Sequence, residues 1–138
     1  MPRKCKELNI NSDTVNLVEV EKYIEDVFDF FGISSDEFFR SLLSVKEAVT
    51  NSIIHGNKSD RSKSVCIKAY KCNKYLYFKV IDEGDGFDYT SVKDPSLPEN
   101  VLDEGGRGLF IMRKVCDSLT FREKGNVVEF RINLDGKG

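Results

Sequence analysis

Glu47-Ala-Val-Thr-Asn-Ser-Ile-Ile-His-Gly56 is the stretch on which the fold turns. It closes a run in which Phe38, Leu42, Val45, Val49 and Ile53 recur at helical spacing, so one apolar stripe faces a core. Glu47, Asn51 and His55 stand at i, i+4 and i+8 and share a neighbouring stripe aimed at something polar. Asn is unfavourable inside a helix, because its side chain competes with the backbone for hydrogen bonds, so Asn51 asks for a reason. Gly56 is the natural stop of the helix.

Upstream, Ser34-Ser-Asp-Glu37 has capping-box spacing, with Glu37 reaching back to the start of this helix. A preceding helix is expected over 13–31, N-capped by Ser12 and closed by Gly32. Its apolar positions are Val15, Val18, Val20, Ile24, Val27, Phe28 and Phe31. Residues 6–10 read as a first strand. Downstream of the polar loop 57–63, residues 64–71 and 75–81 alternate apolar and polar and form a hairpin about Cys72-Asn73-Lys74. Residues 82–104 lack a period and carry glycines and two prolines; a loop that long is more often a functional lid than a plain connection. Helical spacing returns over 108–117 through Leu109, Met112 and Val115. A last hairpin joins 119–123 to 127–134 around Gly125-Asn126, and 135–138 reads as a frayed tail. The sum is an α+β two-layer sandwich: a mixed, mostly antiparallel sheet of four or five strands with helices on one face, in a single domain over 1–138.

Bulk properties narrow the function. The formal net charge is −2, which argues against direct nucleic-acid binding, since neutralising phosphates needs a basic surface. Apolar runs are too short to cross a bilayer, and the charged start Met-Pro-Arg-Lys-Cys-Lys leads into no signal core, so no membrane role and a cytoplasmic location are expected. Cys5, Cys66, Cys72 and Cys116 form no C-x-x-C pair, and Cys66 and Cys116 read as reduced packing residues in preference to a metal or redox role.

Two further stretches carry chemistry. Asp82-Glu-Gly84-Asp-Gly86 ends an apolar strand, and its glycines let the backbone turn sharply and approach a flat ligand. A buried carboxylate there can accept a hydrogen bond from an exocyclic amine such as that of adenine; a plain Asp-x-Gly turn is the bland alternative. Glu104-Gly105-Gly106-Arg107-Gly108-Leu109 opens a helix, where free N–H groups and the dipole make an anion site and Arg107 adds a planar donor. The alternative is a flexible loop with an exposed Arg. A P-loop is excluded because no Lys-Ser/Thr pair follows the glycines. On the helix stripe, Glu47 can accept a proton and the Asn51 amide oxygen suits Mg²⁺, although a solvated face accounts for Glu47 taken alone.

In combination and in this order the three stretches resemble the N box and two glycine boxes of the Bergerat-fold (GHKL) ATPases. More closely, Glu47–Gly56, the run from Val80 to Asp88, Pro95-Ser-Leu-Pro98 and the run from Glu104 to Leu109 resemble the bacterial anti-sigma-factor serine/threonine kinases. That resemblance implies a histidine-kinase-like ATPase fold with ATP and Mg²⁺ as cofactors. It implies Glu47 as general base, Asn51 as ligand of a Mg²⁺ bridging the phosphates and Asp82 on the adenine amino group. Gly84 and Gly86 shape the base pocket, Gly106, Arg107 and Gly108 meet the phosphates, and Gly105 and Leu109 belong to the same nucleotide-binding set. The implied partners are a sigma factor, which the kinase silences, an anti-anti-sigma protein phosphorylated on serine, and a second copy in a homodimer. Many members have an aromatic after the His-Gly pair, where this chain has Asn57-Lys58.

A histidine kinase needs a separate phospho-acceptor histidine, and His55, the sole histidine, already lies in the N-box match. Topoisomerase and chaperone ATPases need further domains. Two alternatives stand: a nucleotide-gated module that sequesters a partner without phosphoryl transfer, and a switch kinase acting on a scaffold protein of a stress complex. Glu47 beside Asn51 favours a kinase over a pure binder, which has no use for a base.

Overall fold

The computed structural model describes residues 4–85, 112, 114–123 and 126–136. Strand β1 (Lys6–Asn11) leads through a 3₁₀ turn (Thr14–Leu17) into α1 (Val18–Phe30) and α2 (Phe38–Asn51). A π-helical turn (Ser52–Gly56) extends α2, and β2 (Ser64–Cys72), β3 (Tyr75–Ile81), β4 (Ser118–Arg122) and β5 (Val127–Asn133) follow. The sheet order is β1-β2-β3-β5-β4, and each of its four pairings is antiparallel. The expected α+β sandwich is therefore present, and its described strands need no parallel pair.

Strict alternation divides the sheet into two faces. One face presents Ile10, Val65, Ile67, Ala69, Leu76, Phe78, Val80, Phe130 and Ile132 to the helices. From α1 come Val20, Tyr23, Ile24, Val27 and Phe28, and from α2 Val45, Ala48 and Val49, at the i, i+3, i+4, i+7 spacing that aligns one helical face. On the other face Tyr70 and Tyr77 stack at 5.0 Å, and the Arg131 guanidinium lies 4.2 Å from the Tyr75 ring centre. Glu129 there pairs with Lys79 and Arg122.

Helix starts differ from the sequence expectation. Asp13, not Ser12, caps the first turn, its Oδ1 accepting the Val15 N–H at 3.0 Å. Ser12 is buried, and both its N–H and its hydroxyl donate to Lys63 O. Because that first turn winds as 3₁₀, with about three residues per turn, the apolar phase slips. Val15 and Val18, expected in the core, are 65% and 77% exposed. The capping box is not formed either. Ser35 Oγ accepts the Glu37 N–H and donates to Leu134 O, while the Glu37 carboxylate pairs with Arg40. The Arg40 guanidinium, one helical turn on, takes Glu37 away from the box. Gly32 does close α1 at φ +64°, with Ile33 N–H bonding to Phe28 O and Gly32 N–H to Asp29 O. Of the expected helix over 108–117, Met112, Lys114 and Val115 are described and helical, Cys116 and Asp117 are described and bend out of the helix, and 108–111 and 113 lie outside the described residues.

Candidate functional site

Glu47 and Asn51 lie one turn apart on α2, both half-buried, while His55 at the end of the following turn is exposed. Past Asn51 the helix widens to i→i−5 bonding, with Asn57 N–H donating to Ser52 O at 2.7 Å. Such π-turns often accompany functional sites. Here the turn delivers Gly56 against the end of β3. A Cβ placed on Gly56 would lie 2.3 Å from Asp82 Oδ2, and one on Gly84 would lie 2.0 Å from Gly56 O. Only glycines permit this approach. The expected end of the helix at Gly56 thus holds, but its reason is the carboxylate beside it.

Asp82 is 7% exposed. Its Oδ1 accepts the Gly84 N–H at 2.9 Å, a local bond that orients the carboxylate. Its backbone pairs with Asn126 in both directions: Asp82 N–H donates to Asn126 O at 3.0 Å, and Asn126 Nδ2 donates to Asp82 O at 3.2 Å. An ionised carboxylate is an acceptor with about four positions, the chemistry that an exocyclic amine requires. Burial makes such a bond selective, since an unmatched group there loses water without replacement.

Of the residues expected from sequence, the structure gathers Asp82 and Gly84 around Gly56 and sets Glu47 and Asn51 on the helix that leads to them. Gly86, Gly105, Gly106, Arg107, Gly108 and Leu109 lie outside the described residues. Among the described residues no group of three or more His, Cys, Asp and Glu could hold a metal by itself. The Asn51 amide oxygen is a hard donor of the kind Mg²⁺ takes. A cavity of about 430 Å³ lined by Ile33, Ser34, Ser35, Asp36, Glu37, Leu134 and Asp135 lies near the other end of α2 and includes none of these residues. Sequence reasoning missed Asn57 and Asn126, which support Asp82 from two sides; an Asn beside a Gly signals only a turn.

Comparison with known proteins identifies the family. The histidine kinase-like ATPase domain family matches residues 10–132. The serine-protein kinase RsbW of Staphylococcus epidermidis is 30% identical over 128 residues, covering 86% of this chain and 78% of the relative. RsbW of Staphylococcus aureus is 28% identical over 131 residues, covering 83% and 76%. Among solved structures, the catalytic domain of the histidine kinase ThkA superposes with a TM-score of 0.50 over 93% of this chain and 97% of that one, at 15% identity. No described helix is long and apolar enough to cross a membrane. The chain belongs to the family of histidine kinase-like ATPase domains, the family its N-box helix and buried Asp82 had pointed to.

Proposed function

We propose that this chain, as one ATP-binding domain over 1–138, is a serine protein kinase that sequesters a sigma factor and phosphorylates an anti-anti-sigma protein. The observation that carries the reading is the buried Asp82 carboxylate, wedged between two glycines at the end of the helix that bears Glu47 and Asn51. The resemblance to serine-protein kinases supports the choice of acceptor.

In this reading Asp82 accepts the adenine amine, and Gly56 and Gly84 let the base approach the backbone. Asn51 would hold a Mg²⁺ through its amide oxygen, and the metal would offset the charge on the phosphates. Glu47 takes the proton of the acceptor serine as its Oγ bonds to the γ-phosphorus and the bond to the ADP oxygen breaks. Gly86, Gly105, Gly106, Arg107, Gly108 and Leu109 complete the nucleotide contacts, and the protein works as a homodimer in the cytoplasm, where ATP and its partners are found.

Removing a positioned base costs about 10²–10⁴-fold in rate. Glu47→Ala is expected to bind ATP and the sigma factor like wild type, yet fail to transfer labelled phosphate to the anti-anti-sigma serine. A wild-type chain that binds sigma and transfers no phosphate would replace the kinase by a sequestering module. Transfer to a stress-complex scaffold protein instead would identify a switch kinase.

A further inference from the structure

Asn57 is 1% exposed, though it lies at the start of a polar loop and follows the glycine that touches Asp82. Both ends of its side-chain amide are engaged. Nδ2 donates to Ser12 Oγ at 2.7 Å and to Ser64 O at 3.0 Å, and Oδ1 accepts the Glu83 N–H at 2.8 Å. The orientation of the amide is settled by chemistry: Ser64 O can only accept, and a backbone N–H can only donate. Ser12 hydroxyl is itself committed as a donor to Lys63 O, so it too must accept from Asn57. Beyond Asn57 the chain turns back toward β2 through Lys58 and Ser59 at φ 54° and 58°, a left-handed pair that non-glycine residues adopt only when held there.

The bond to Glu83 matters most. The peptide unit joining Asp82 to Glu83 is gripped on both edges, its N–H by Asn57 Oδ1 and its C=O by Asn126 Nδ2. A peptide plane held at both edges cannot rotate, so the direction in which Asp82 leaves the backbone is set. We infer that Asn57 is a positioning residue for base selection, holding the peptide after Asp82 so that its buried carboxylate meets the exocyclic amine of an adenine nucleotide. Asn57 touches no ligand in this role; it acts through Asp82. The inference rests on the reading of Asp82 as the adenine acceptor.

A merely structural residue would weaken every nucleotide alike, whereas one acting through Asp82 weakens only those bearing the amine. The full-length chain is titrated by calorimetry, with Mg²⁺, against ATP and against purine riboside triphosphate, which lacks the exocyclic amine. Wild type is expected to prefer ATP by about tenfold or more, the value of one buried charge-assisted bond. In Asn57→Ala, ATP affinity is expected to fall about tenfold while that of the analogue changes less than about twofold, so the preference collapses. A folded Asn57→Ala that keeps the wild-type preference, or loses affinity for both nucleotides in parallel, overturns the inference and leaves the reading of Asp82 intact. A wild type with no preference removes that reading and the inference with it. If Asn57→Ala does not fold, Asn57→Asp decides: it keeps an acceptor for the Glu83 N–H, so the preference is expected to survive despite a lower melting temperature, and its loss would overturn the inference.

Discussion

Gly56 and Gly84 meet beside the Asp82 carboxylate, and neither site has room for a methyl group. On Gly84 the obstacle is backbone, Gly56 O at 2.0 Å from a Cβ, so the clash cannot be relieved by rotating a side chain. On Gly56 it is the Asp82 carboxylate itself. Overpacking of this kind costs about 1–3 kcal/mol. Gly84→Ala is therefore expected to lower the melting temperature, and Gly56→Ala to lower it and also displace Asp82, weakening ATP binding in calorimetry. Tyr23 is another residue whose polar atom matters. Its buried hydroxyl donates to Lys6 O at 2.8 Å, and burial raises its pKa far above the ordinary phenol value. The unfolded chain gives up this proton near pH 10 and the folded chain does not. Its contribution is thus whole below about pH 10 and declines as the pH rises above it. Tyr23→Phe is expected to cost about 1 kcal/mol at pH 8, the net worth of one hydrogen bond. Urea unfolding at pH 10.5 (about half a unit above the free phenol value) should show a smaller gap between mutant and wild type.

At the scale of elements, Arg40 ties α2 to the paired strands β4 and β5. From the first turn of α2 its Nη1 donates to Val115 O at 2.6 Å, its Nη2 to Asn133 O at 3.0 Å and to Asp117 Oδ2 at 3.3 Å, and its Nε to Glu37. Asp117 Oδ2 also accepts the Asn133 N–H. One planar fork thereby ties α2 to the segment entering β4 and to the end of β5. The Arg40 and Asp117 side chains are only 17% and 11% exposed, so removing one partner strands the other. Breaking a largely buried pair costs about 3 kcal/mol. Arg40→Ala is expected to show that loss in chemical denaturation, and Arg40→Lys to recover little of it, because an ammonium cannot reach four acceptors from one plane.

For the whole molecule, nucleotide binding should appear as stability. A ligand that binds only the folded state at a hundred times its dissociation constant adds about 2.7 kcal/mol. Mg²⁺-ATP is therefore expected to raise the melting temperature by several degrees. Asp82→Asn should abolish most of that shift at the same ATP concentration, because an amide presents a donor where the adenine amine needs an acceptor. Asn51→Ala should make the shift insensitive to Mg²⁺. A thermal melt with and without ATP, EDTA and Mg²⁺ checks all three outcomes, and an equal shift in Asp82→Asn would remove this residue from the base pocket.

The sequence by itself determined the layers and the kind of site. Period-two alternation in β2 and β3 and the helical stripes of α1 and α2 each depend on local geometry, and local geometry repeats along the chain. The N-box helix and the Asp-led glycine turn were legible for the same reason: their residues are neighbours in sequence. Helix starts were not, because Ser12 and Ser35 had distant acceptors in Lys63 O and Leu134 O that no local pattern displays. Nor could spacing show that Gly56 would meet Asp82, or that Asn57, read as loop, would be buried with its amide against Ser12, Ser64 and Glu83. Those contacts span up to 45 residues of chain. They come into being only when the sheet closes and buried polar groups, cut off from water, must find their partners among one another.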